Sequence, residues 1–157
     1  MKRKTLYLTC GIPGSGKSTW CQTYFKDKEN AWCSRDEVRF SMLQEDDEYF
    51  AHETEVFAAW IVQIKKALRS DVDIICVDAT HLSEKARNAV LDRLPLKNVD
   101  IIPVSFEVPL DTCLQRNNQR VGRARVPEQV IKNMYNSYTP PSFKEKYDYA
   151  DIKVITK

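Results

Sequence analysis

A three-layer α/β fold is the architecture this sequence predicts: a mostly parallel sheet of four to five strands, covered by helices on both faces. Three observations predict it. Short β-branched and aromatic runs alternate with longer segments of helical spacing, the order expected of strand–crossover–strand units. The run Val72 to Val77 is apolar but for Asp73, close to what a strand buried on both sides shows, and an Asp follows it. Three of the chain's four glycines fall in one turn between the first strand and the first helix, Gly11-Ile12-Pro13-Gly14-Ser15-Gly16-Lys17-Ser18.

Taken in order, Thr5 to Cys10 gives the first strand, and Ser18 to Phe25 follows the glycine turn without a breaker as the first helix. Ala31-Trp32-Cys33 is a short second strand ending at Ser34. From Tyr49 to Arg69, apolar residues such as Val56, Trp60, Ile61, Ile64 and Leu68 recur at helical spacing, which predicts a long amphipathic helix laid against the sheet. Val72 to Val77 is the third strand, with Asp78 at its end. Ser83 is the N-cap of the next helix. Val99 to Val108 is the fourth strand, and Pro109 opens a helix carrying Leu110, Cys113 and Leu114 that should run to a break at Gly122. Another helix starts near Pro127, and Ile152 to Ile155 is a final short strand. No repeat, low-complexity tract or linker interrupts this order, so one domain over residues 1–157 is expected, with ligands at the carboxyl ends of the strands.

Composition narrows the class. Hydrophobic residues make up 43% and charged residues 29%, which is ordinary for a globular domain. No apolar run approaches membrane-spanning length, and Met1-Lys2-Arg3-Lys4 leads into a strand too short for a signal-peptide core, so no membrane partner is expected. Five cysteines, an odd count without a C-x-x-C pair, argue against a disulfide framework or a zinc site and for a cytoplasmic protein. A net charge of +2 announces no polyanion partner by itself. Between positions 115 and 132, however, Arg116, Arg120, Arg123, Arg125 and Lys132 stand against the single acid Glu128.

The glycine turn satisfies G-x-x-x-x-G-K-[ST], the phosphate-binding P-loop. Residues without Cβ let successive backbone N–H groups turn inward around a polyphosphate, and the following helix adds its positive end. ATP or another nucleoside triphosphate is the expected ligand, held by Gly11, Gly14, Ser15, Gly16, Lys17, Ser18 and Thr19. Lys17 reaches the β- and γ-phosphates, and the Ser18 hydroxyl ligates Mg²⁺. Ser34-Arg35-Asp36-Glu37-Val38-Arg39 follows the second strand, and Asp36 and Arg39 share one face of a helical turn. A carboxylate there can take the proton of an attacking hydroxyl, and a cation beside it can hold an anionic acceptor. A helix cap from Ser34 or Asp36, with Arg39 a surface cation, accounts for the same residues. Asp78 and Thr80, after the third strand, are candidates for organising metal and acceptor, or for a plain turn; His81 reads as exposed-loop filler. Asp71-Val72-Asp73 precedes a strand and is set aside as a metal motif. Arg116 and Arg120 share a helix face, with Arg123 and Arg125 on a short flexible segment beyond. Such arginines can close over a triphosphate as a lid, or simply make a basic surface. Glu45 to Glu48 reads as a solvated acidic stretch, and Tyr135 and Tyr138 as packing residues or base-stacking ones.

With these blocks in order, the chain resembles the kinase domain of phage-type 5′-polynucleotide kinases, a branch of the small P-loop kinases. The resemblance runs through GIPGSGKSTW, SRDEVRFSML, VDATHLSEKAR, VPLDTCLQRNNQR and VPEQVIKNMY, essentially the whole chain. It implies a P-loop kinase fold with an arginine-bearing lid, and Mg²⁺-dependent transfer of the γ-phosphoryl of ATP to a 5′-hydroxyl end of DNA or RNA. On this resemblance Asp36 is the general base, and Arg39 holds the phosphate on the 3′ side of the terminal nucleotide. Lys17 and Arg120 contact the phosphates in flight, Arg116 is the first lid arginine, and Asp78 helps organise the acceptor and metal. It also implies a separate ligase or phosphatase partner, because the chain has no D-x-D-G-T motif. The spacing of Val121 to Arg125 departs from that of the phage lid. Two other readings stay open: a small-metabolite kinase using Asp36 on a different hydroxyl, and a nucleotide-driven switch without an acceptor. A GTPase is disfavoured by the lack of N-K-x-D.

Overall fold

Five parallel strands form one sheet: β1 (Lys4–Cys10), β2 (Ala31–Ser34), β3 (Ile74–Asp78), β4 (Val99–Phe106) and β5 (Lys153–Ile155), in the order β2-β3-β1-β4-β5. The computed structural model describes residues 2–157. Six α-helices connect the strands: α1 (Lys17–Tyr24), α2 (Arg35–Met42), α3 (Glu53–Arg69), α4 (Glu84–Leu91), α5 (Leu110–Asn118) and α6 (Glu128–Ser137). A short 3₁₀ turn, Gly122–Ala124, separates the last two. Helices cover both faces of the sheet, which gives the three layers that the sequence predicts.

The period-two alternation of the strands assigns the faces. Leu6 and Leu8 of β1, with Ile75 and Val77 of β3, bury against Trp60, Ile61, Ile64 and Leu68 of α3 and against Val90 and Leu91 of α4. Tyr7 and Cys76, one step out of phase, face the opposite way and meet Cys21 and Phe25. Each fully buried aliphatic side chain stabilises the fold by roughly 1.5–3 kcal/mol. A third cluster, Ile12, Val108, Cys113, Val126 and Ile131, lies under the segment joining α5 to α6. All five cysteines are buried free thiols. Among the described residues, no helix is long and apolar enough to cross a membrane.

Several boundaries move from their predicted places, each for a local reason. The long helix starts at Glu53, not Tyr49, because residues 48–51 close a turn (Ala51 N to Glu48 O, 3.0 Å) and the Tyr49 hydroxyl is held by Asp36 and Arg39. The third strand starts at Ile74, since Val72 is spent accepting a bond from Lys4 Nζ (2.5 Å). The fourth strand stops at Phe106, and Val108 turns into the third cluster. The arginine-bearing helix ends at Asn118, four residues short of the predicted break. Asn117 has left the helical pattern with its side chain, giving Nδ2 to Val126 O (2.7 Å) and accepting from Val126 N (2.9 Å). His81, expected to be exposed, is 4% accessible with φ 39°. Its Nδ1 donates to Thr9 O at 2.6 Å, and burial lowers its pKa to about 3.

Candidate active site

The P-loop leaves the end of the central strand β1 and opens α1 at Gly16, so its backbone lies at the carboxyl edge of the sheet. Gly14 and Gly16 have φ of +84° and +95°, where a side chain is strained. A Cβ on Gly14 would also meet Cys113 O at 2.4 Å. The loop is thus wedged against α5, and Arg116 of that helix adds a bond from Nη1 to Gly14 O at 3.2 Å. Lys17 folds back onto the loop, giving Nζ to Ile12 O at 2.8 Å. Burial pulls its pKa down, and the nearby carboxylates of Asp78 and Asp36 oppose that.

Asp78 ends β3 beside the loop and is fully engaged. Its Oδ2 accepts from Ser18 Oγ and from Trp32 Nε1, both at 2.8 Å, and its Oδ1 lies 3.4 Å from Thr9 Oγ1. A hydroxyl and a carboxylate in direct contact at a P-loop are the hard oxygen donors Mg²⁺ takes when phosphates supply the rest of its shell. The donor set therefore fits the metal. Gly11 N donates to Thr80 O at 2.9 Å, which joins the loop to the strand end that carries Asp78.

Across a cleft of about 220 Å³ stands the start of α2. Ser34 is its N-cap, with Oγ accepting from Glu37 N at 3.2 Å, so Asp36 is not needed as a cap. The Asp36 carboxylate is exposed to the cleft. Tyr49 donates to its Oδ1 at 2.5 Å, Arg39 Nη1 donates to the same oxygen, and among the described residues Oδ2 accepts no bond. Arg39 is not a surface cation: it is 5% accessible. Its Nε and Nη2 form a fork onto Glu53, both at 2.7 Å, and Nη1 also reaches Tyr49 Oη at 2.8 Å. These bonds hold the Glu53 carboxyl below the usual carboxylate range. Four of the five N–H groups of Arg39 are thereby committed to protein acceptors. In this structure the fork a phosphate would need is turned onto Glu53, so Arg39 would meet an acceptor phosphate by exchanging that carboxylate for it.

The structure brings Gly14, Gly16, Lys17, Ser18, Thr19, Asp36, Arg39, Asp78, Thr80 and Arg120 to one cleft. Arg116 touches the loop from outside. Gly11 and Ser15 are buried beneath it, with Ser15 Oγ unpartnered. Arg116 and Arg120 do not share a helix face as predicted, since α5 ends between them; Arg120 sits on the loop beyond, with only a 3.4 Å contact to Ala124 O. Arg123 donates to the carbonyls of Gln44 and Glu45, so the lid segment already rests on the acidic stretch after α2. Tyr138 packs, bonding Ser105 Oγ and Cys10 O, while Tyr135 is exposed. Sequence reasoning missed Glu53, Tyr49, Trp32 and Asn117. Only Asn117 carried a signal, as a polar residue inside a run of arginines at a helix end.

The chain belongs to the AAA_33 family of P-loop kinase domains, whose model, described as an AAA domain, matches residues 6–141. An L-seryl-tRNA(Sec) kinase of Methanococcus maripaludis is 27% identical over 158 residues, covering 96% of this chain and 59% of that protein. The chain thus spans little more than half of that relative's length. Among solved structures, one from the Pnkp1/Rnl/Hen1 RNA repair complex aligns with TM-score 0.73 and 19% identity, over 87% of this chain and 44% of its own. Kti12 of Chaetomium thermophilum, in complex with ADP-AlF3, aligns with TM-score 0.70 and 15% identity, over 96% of this chain and 88% of its own. At these identities the structures speak for the fold alone.

Proposed function

We propose that this chain transfers the γ-phosphoryl group of ATP to a 5′-hydroxyl end of DNA or RNA. The observation that carries the reading is Asp36 facing Lys17 across one cleft, with Oδ2 unengaged. A hydroxyl entering the cleft gives its proton to Asp36 Oδ2 as its oxygen bonds to the γ-phosphorus, and the bond from that phosphorus to the oxygen of ADP breaks. In this reading Lys17 and Arg120, which line the cleft, neutralise charge on the transferring group and on the leaving ADP. Ser18 and Asp78 would hold Mg²⁺, which would offset the negative charge of the phosphates. Arg39, Tyr49 and Glu53 fix the direction of Asp36. The tRNA kinase relative supports a hydroxyl acceptor attached to nucleic acid. In this reading residues 1–157 act as one domain in the cytoplasm, and the 5′-phosphorylated product suits a separate ligase.

One observation favours a second acceptor class. With Arg39 closed by Glu53, Asp36 could equally serve the hydroxyl of a small metabolite. Incubation with γ-labelled ATP, Mg²⁺ and a panel of acceptors separates the readings: 5′-hydroxyl DNA and RNA oligonucleotides, nucleoside 3′-monophosphates, free nucleosides and sugars. Label on oligonucleotide ends is expected. Label confined to small molecules replaces the first reading with the second, and label on none removes both.

A further inference from the structure

We infer that Trp32 is a positioning residue for the metal: its indole N–H fixes the Asp78 carboxylate, and through it the Ser18 hydroxyl, in the arrangement that accepts Mg²⁺. The inference rests on the nucleotide-and-metal half of the reading above and holds for any acceptor. Trp32 lies on the edge strand β2, paired with Cys76 of β3, while Asp78 pairs with Ser34 two residues on. From that diagonal place the long indole reaches Asp78 Oδ2 with Nε1 at 2.8 Å. Its ring is half-buried against the cluster of Cys21, Phe25 and Cys76, so packing holds the donor in place.

Asp78 is 4% accessible, and a carboxylate so buried is costly unless donors meet it. Ser18 Oγ and Trp32 Nε1 both meet Oδ2. A hydroxyl has one proton and two lone pairs, so a Ser18 proton directed at Asp78 leaves both lone pairs for a metal. Oδ1 is the looser oxygen. Thr9 Oγ1 lies 3.4 Å from it, but the single proton of that hydroxyl has a shorter path to Ala79 O, at 2.9 Å. Oδ1 can therefore exchange this contact for one with the metal or its water. Trp32 thus gives the two oxygens separate tasks, Oδ2 orienting Ser18 and Oδ1 serving the metal. A phenyl ring at position 32 would keep the packing and free the carboxylate to turn about its own bond.

The test is ADP binding by calorimetry across a range of Mg²⁺ concentrations, for wild type, Trp32→Phe and Trp32→His, with melting curves to confirm folding. Residues that orient metal ligands are worth roughly 10–100-fold in metal affinity, so Trp32→Phe should raise the Mg²⁺ needed to strengthen ADP binding by about that factor and keep metal-free ADP affinity within about twofold. Trp32→His, which retains a ring N–H, should recover part of the loss. Equal losses with and without Mg²⁺ would make Trp32 a packing residue and overturn the assignment. An unchanged Mg²⁺ requirement in Trp32→Phe, or no Mg²⁺ effect in wild type, overturns it as well. NMR of wild type judges it without any variant. The Trp32 indole N–H signal, assigned by its contacts with the Cys21, Phe25 and Cys76 cluster, should move when Mg²⁺ joins bound ADP. That of Trp60, bonded to Cys33 O at 2.9 Å, should stay in place. A Trp32 signal that ignores Mg²⁺ sinks the inference. None of these measurements needs an acceptor, so a positive result stands even if no oligonucleotide is phosphorylated.

Discussion

The two walls of the cleft are made of different material. The donor wall is backbone: a glycine loop wedged under Cys113 O, with one lysine and one serine attached. The acceptor wall is side chain: Asp36 is aimed by Arg39 and Tyr49, and Arg39 by Glu53 from the next helix. A backbone cradle serves any nucleoside triphosphate and tolerates no change of shape. A wall of side chains can be retuned residue by residue, which suits the half of a kinase that chooses the acceptor.

If that contrast is right, damage to the donor wall is structural and damage to the acceptor wall is kinetic. The largest effect belongs to Gly14→Ala, where positive φ and a 2.4 Å overlap with Cys113 O coincide. It should lose roughly 2–4 kcal/mol of stability and most ATP binding, read by denaturant melts and calorimetry. Unchanged ATP affinity would show that the loop is not wedged. Glu53→Gln should act the other way, lowering kcat roughly 10–100-fold with the KM for ATP nearly constant, because only the orientation of Arg39 and Asp36 is loosened. A matching loss of ATP affinity would blur the division between the walls.

Asn117→Ala probes the hinge between them. Removing its side chain orphans the buried N–H and C=O of Val126, which should cost about 1–3 kcal/mol and raise the KM for ATP as the Arg120 segment loosens. The smallest effect at neutral pH is that of His81, which sits behind both walls. Its pKa of about 3 in the fold lies below the ordinary value of 6.5. Between those values the unfolded chain binds a proton that the folded chain does not. Stability should therefore fall as pH drops below 6.5, by up to about 1.4 kcal/mol per pH unit. His81→Asn, suited to the positive φ, should flatten that slope in melts at about pH 7 and about pH 5.5. An unchanged slope would assign the acid sensitivity elsewhere.

The same contrast explains what could be read from the chain itself. The donor wall is contiguous in sequence, so its spacing announces its chemistry, and the sheet follows from the alternation of runs around it. Asp78 is legible for a similar reason, as an acid following a buried strand. Glu53 is not, because its partner Arg39 lies fourteen residues back and nothing local distinguishes it from other acids at the start of a helix. Arg39 shows the same limit: its spacing from Asp36 is in the sequence, but only the folded chain shows that its fork is turned onto Glu53. His81 misled in the same way, since a polar residue after a strand end gives no sign that α3 will bury it beside Trp60.

Asp36→Asn tests the division of labour most directly, measured as γ-phosphoryl transfer and ATP affinity on the same preparation. The account predicts that transfer falls by roughly 10²–10⁴-fold while the Kd for ATP stays within about twofold. Transfer that survives the substitution would mean that this carboxylate is not the base, and that the acceptor meets the nucleotide somewhere else.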